Sequence, residues 1–166
     1  MPTALELKQR LLSGTLEAGK FIDGIMQLDQ STPSREHSLE NIQILTSPEV
    51  ASIFENDARY KFPYLNLLSL SYFHRGQIEV AERKDYAVAL DSFKHALDAA
   101  VSNEEDSQSW RDYVAGTVAY LERDDATLKR ICETTEEGRN RDILVNFLAQ
   151  LESGDEINYE AAYAKR

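Results

Sequence analysis

The side chains able to do chemistry are few and stand apart. The three histidines are His37, His74 and His95. No two are three or four residues apart, the spacing that sets two ligands on one helical face. None follows a glutamate by three residues, as helical di-iron sites require, and no His-Glu-x-x-His occurs. His74 and His95 are expected at a helix end and on a helix face, in structural or solvated roles. The single cysteine, Cys132, excludes an intrachain disulfide and a multi-cysteine zinc site. Leu128 and Ile131 put it on an apolar helical face, where a thiol packs as a small hydrophobe. Lys129 and Arg130 are offset by Glu133, Glu136 and Glu137, so no electropositive setting favours a thiolate.

The acidic clusters Glu104-Glu105-Asp106, Asp124-Asp125 and Glu136-Glu137 fall in turns or first helical turns, where carboxylates complement the helix dipole. The spaced acids and central glycine of a calcium-binding EF-hand loop are absent, as are glycine-rich phosphate loops and the Gly-x-Ser-x-Gly nucleophile turn. The expectation is a chain without catalytic machinery, metal or cofactor. A deep enclosed pocket holding His74 or Cys132 beside a carboxylate would mark an enzyme instead. The aromatics are more suggestive. Tyr60, Tyr64, Tyr72 and Phe73 cluster in one stretch, and Trp110, Tyr113 and Tyr120 in another. Such rings either fill a core or anchor an interface.

The elements that must position these groups are helical. Tyr86, Ala89, Leu90, Phe93, Ala96, Leu97 and Ala100 recur at steps of three and four, with Asp91, Lys94 and Asp98 opposite. Trp110, Tyr113, Val114, Thr117, Tyr120 and Leu121 repeat the pattern, as do Ile143, Leu144, Phe147, Leu148 and Leu151. No stretch alternates with period two, which predicts an all-α fold. Helices are predicted near 3–12, 16–29, 33–45, 48–57, 58–75, 86–100, 110–121, 143–151 and 157–164, with another around Cys132. Thr32-Pro33 and Ser47-Pro48 read as caps followed by proline at the first helical position. Gly76 is the expected stop of the fifth helix. Residues 77–84 either extend that helix or begin the next, with a turn at Lys84-Asp85. Residues 1–57 form an N-terminal capping segment and 58–166 a set of hairpins, together one domain.

The chain has 166 residues, 18 Lys plus Arg and 29 Asp plus Glu, for a net charge of -11. The net charge is -4 over residues 1–60, zero over 61–100 and -7 over 101–166, so no segment is basic. Binding to nucleic acid or anionic lipid is not expected. A basic partner is permitted, and solubility alone accounts for the charge equally well. The first eight residues hold no apolar core of a secretory leader. The apolar stretch from Tyr64 to Phe73, broken by Asn66, Ser69 and Ser71, is too short to span a bilayer. A cytoplasmic protein with a reduced thiol is the expectation.

The run from Asp85 to Leu97 resembles the second helix of a tetratricopeptide repeat. Tyr86, Ala89, Phe93 and Ala96 take the aromatic, small, aromatic and small positions. A weaker echo follows, with Leu128 and Cys132 in the corresponding places and Gly116 allowing close helix approach in the preceding helix. The resemblance implies antiparallel helical hairpins stacked as a short array; an irregular helical bundle is the alternative. In that family the first helix of each pair lines a groove, which makes Asn66, Tyr72, Arg75, Arg111 and Tyr113 the candidate partner-binding residues. The expected role is a non-enzymatic module that binds a peptide or partner helix. The alternative is an acidic inhibitor or secretion-type chaperone that neutralises a basic partner.

Overall fold

The computed structural model describes residues 2–31 and 34–164, and among them every regular element is helical. In chain order these are α1 (Ala4–Leu12), α2 (Ala18–Ser31), α3 (Arg35–Leu45), α4 (Pro48–Glu55), α5 (Lys61–Ile78), a π-helical turn (Glu79–Arg83), α6 (Tyr86–Ser102), α7 (Gln108–Leu121), α8 (Asp125–Thr134), α9 (Arg139–Glu152) and α10 (Tyr159–Ala164).

Local chemistry sets most of the boundaries. Thr3 and Glu6 form a reciprocal capping box at α1. Asp85, Ser107 and Asp124 each accept the backbone N–H three residues on, from Val88, Trp110 and Thr127. Pro48 opens α4 behind Ser47, as its sequence predicts. The Thr32-Pro33 signal lies outside the described residues; α3 is capped by Ser34, whose hydroxyl accepts from the His37 N–H at 3.3 Å. Gly138 caps α9, which begins at Arg139.

Gly76 does not stop α5. The helix runs through it to Ile78 and continues into the π turn, which ends at Lys84 in the left-handed region (φ 54°). Gly76 is required there for another reason. A β-carbon on it would lie 2.7 Å from the Phe93 ring, so the glycine is the seat on which α6 rests against α5. Gly116 does the same between α7 and α9, where a β-carbon would meet Leu144 at 2.4 Å.

Two apolar clusters form around α5. The first joins α1 to α4 and the N-terminal half of α5 through Phe21, Ile25, Leu45, Val50, Phe54, Tyr64 and Leu67. Phe54 stacks on Tyr64 at 4.9 Å, and the Tyr64 hydroxyl donates to the Leu45 carbonyl at 2.7 Å. The second spans the rest of α5 to α10, with Phe73, Phe93, Tyr113, Tyr120, Leu144, Phe147 and Tyr159 among its members. Phe93 is fully buried, and its ring lies 4.9 Å from that of Phe73. Burying one such side chain contributes about 1.5–3 kcal/mol. α6 packs on α7, α7 on α8 and α9, and α8 on α9. α10 pairs with α9 and also returns to the π turn. Gln77 donates to the Tyr159 hydroxyl at 3.2 Å, the Tyr86 hydroxyl donates to the Ile157 carbonyl at 3.0 Å, and Lys84 pairs with Glu160.

Phe93→Ala is expected to cost about 3–5 kcal/mol in urea unfolding; a loss below about 1 kcal/mol would place the ring outside the core. Alkaline pH gives a second measurement. Burial pushes the Tyr64 and Tyr120 phenols up from 10 to about 12. The native chain therefore keeps protons that the unfolded chain releases near pH 10, and its stability falls as pH rises from there toward 12. A urea midpoint unchanged between pH 9 and pH 11.5 would contradict this burial.

Candidate functional site

Where the last turns of α2 meet the end of α5 and the π turn, the surface forms an open groove of about 550 Å³. Ile78 and Ala81 line its apolar part, and Gln30, Gln77 and Glu82 its polar edge. At one end stands a polar pair. Asp29 continues the stripe of Ile22 and Ile25, the i, i+3, i+7 positions that face the core, and is only 7% exposed. A carboxylate so placed needs a partner. His74, on α5, supplies it: Nδ1 lies 2.5 Å from the Asp29 Oδ2. The ring nitrogen facing a carboxylate carries the hydrogen, which leaves Nε2 as the ring's other polar atom.

Behind the pair is a cavity of about 10 Å³ walled by Ser34, His37, Ser38 and Asn41. Its size suits one water molecule. The Ser34 hydroxyl is 2.6 Å from the His37 Nδ1. Ser38 Oγ and Asn41 Nδ2 are buried and find no hydrogen-bond partner among the described residues. One turn past His74 the carboxylate of Glu79, 1% exposed, has the guanidinium nitrogens of Arg75 and Arg83 each 3.9 Å away. The groove lining contains two carboxylates and neither lysine nor arginine.

The five residues singled out from sequence do not form one surface. Asn66 lines a separate depression of about 260 Å³ with Phe62, Pro63, Asn103, Glu105 and Asp106. Arg111 reaches the same corner, donating to the Asp106 carbonyl at 2.7 Å. Burial holds the Asp106 carboxyl above its ordinary value, against the pull of Arg111. Tyr72 and Arg75 make a second group: Tyr72 stacks on the His95 ring at 4.9 Å, and burial raises its phenol while nearby Arg75 opposes the rise. Tyr113 is 5% exposed, its ring 5.1 Å from that of Phe73 and 6.0 Å from that of Trp110. It is a core residue because α7 turns that face toward α5, and burial drives its phenol far up. None of the five lines the groove at Asp29 and His74.

The Asp29–His74 pair was not anticipated, its members lying 45 positions apart. The available signal was an aspartate at a core position of the α2 stripe. His74 does stand beside a carboxylate, but in an open groove rather than a deep enclosed pocket. Cys132 is buried, and burial raises its thiol, which disfavours a thiolate. Among the described residues no cluster of three or more His, Cys, Asp or Glu is arranged to hold a metal ion, and no helix is long and apolar enough to cross a membrane.

No protein-family model, curated protein or solved structure matches the chain.

The two kinds of buried polar group in this region should respond differently to truncation. Ser38→Ala removes an unpartnered hydroxyl and is expected to be neutral within about 0.5 kcal/mol or stabilising, whereas Asp29→Ala strips His74 of its partner and is expected to cost about 1–3 kcal/mol. Urea unfolding in which Ser38→Ala is the more damaging change would refute this assignment of partners.

Proposed function

We propose that the protein is a non-enzymatic interaction module that holds a peptide or partner helix in the groove between α2, α5 and the π turn. The observation that carries this is the groove itself: an apolar strip of Ile78 and Ala81, edged by Gln30, Gln77 and Glu82, on a scaffold of packed helices. An amphipathic helix binds such a surface by laying its apolar residues on the strip and its polar ones along the edges. The likeness of residues 86–96 to a tetratricopeptide helix supports the same reading, since Ala89, Phe93 and Ala96 are all buried at the contact with neighbouring helices. A raised, buried thiol and a histidine tied to a carboxylate accord with a binding role. A cytoplasmic setting suits the single free thiol.

A second reading rests on the net charge of -11: an acidic inhibitor or chaperone that neutralises a basic partner over a broad surface. Ionic strength separates the two, because attraction between exposed charges fades at high salt and apolar seating does not.

The test is a complex isolated from the native cell and compared between wild type and Ala81→Arg, which plants a long side chain on the exposed apolar strip. Hydrogen exchange of the wild-type complex is expected to slow at residues 74–82, and Ala81→Arg is expected to weaken binding about tenfold or more, as filling a contact pocket does. Equal binding by the variant would remove the groove from the account.

A further inference from the structure

We propose that the segment seated in this groove presents a basic side chain, lysine or arginine, whose aliphatic stem lies along Ile78 and Ala81 and whose cationic end reaches Asp29 and Glu82. The proposal rests on the groove reading above and adds the chemistry of the partner.

Charge complementarity carries it. The lining holds two acids, Asp29 and Glu82, and offers them no lysine or arginine. Arg75 and Arg83 flank Glu79, and Lys84 pairs with Glu160, so the cations around the π turn have acids of their own. Glu82 has no ion-pair partner among the described residues. Asp29 is bonded to one imidazole nitrogen and is almost fully buried, where a second favourable charge is worth more than it would be in open water. A long basic side chain suits the strip because its methylenes cover apolar surface while its head seeks the acid.

The small cavity behind Asp29 gives an independent indication. Ser38 and Asn41 are each more than nine-tenths buried, and their unpartnered polar atoms border the same corner as the Asp29–His74 pair. An arriving carboxylate would meet Asp29 and Glu82 with like charge, and a purely apolar residue would leave that corner as it is.

The test uses the full chain, labelled with nitrogen-15, and three synthetic helical peptides rich in alanine and leucine that differ only in a central lysine, glutamine or glutamate. The lysine peptide is expected to shift the amides of residues 29–30 and 74–82 and to bind about fivefold tighter than the glutamine peptide, the size of one partly exposed ion pair. The glutamate peptide should bind most weakly. Glu82→Gln, at an exposed position, is expected to erase most of the lysine preference without moving the urea midpoint. Lysine and glutamine peptides that bind the groove equally would overturn the basic-partner proposal and leave the groove standing. A lysine peptide that shifts only residues elsewhere, or shifts nothing, would overturn both.

Discussion

The contact of the Phe93 ring with Gly76 is the point on which the architecture turns. α5 and α6 make the most extensive helix pair in the molecule, and their closest approach is possible because Gly76 has no side chain. With the ring seated there, Phe73 and Tyr159 close around it at 4.9 and 6.0 Å. α5 is also the helix that enters both apolar clusters, through Tyr64 and Leu67 on one side and Phe73 on the other. A shift between α5 and α6 would therefore move the α7–α10 array against the N-terminal helices. The same contact fixes the end of α5, and with it His74, Ile78 and the π turn that lines the groove.

The proposed binding role follows from how charge is distributed around that end. Glu79 is enclosed, with Arg75 and Arg83 each 3.9 Å from its carboxylate, and neither arginine lines the groove. Asp29 is enclosed too, and among the described residues its hydrogen bond is to the His74 imidazole. The adjacent groove has two acids and a short apolar strip in its lining. The wider charge of -11 adds a long-range attraction for a basic partner, while the local arrangement gives it a place to seat.

Much of the fold was legible because helices announce themselves locally. The stripe from Tyr86 to Ala100 and the Ser47-Pro48 start depend on residues within a turn or two of one another. Gly76 reads as a stop in sequence, but glycine has two uses, ending a helix or admitting a close neighbour, and the distant Phe93 decides between them. The π turn followed from that: once the helix passes Gly76, the surplus residues before Asp85 are absorbed as a wider turn. The candidate site was far less legible. Asn66, Tyr72, Arg75, Arg111 and Tyr113 were chosen from a regular hairpin register, and packing separates them into two corners and a core position. Asp29 and His74 meet only through the crossing of α2 and α5, which no local pattern encodes.

The central claim is that Gly76 exists to admit Phe93, and a double-mutant cycle between the two tests it most directly. Gly76→Ala in the native background should destabilise the chain by about 1–3 kcal/mol through overpacking, although alanine is the better helix former. In a Phe93→Leu background, where the ring is gone, the same change should cost about 1 kcal/mol less, or even stabilise. Costs that add independently, to within about 0.5 kcal/mol, would show that the glycine and the ring do not meet and that some other contact holds α5 to α6.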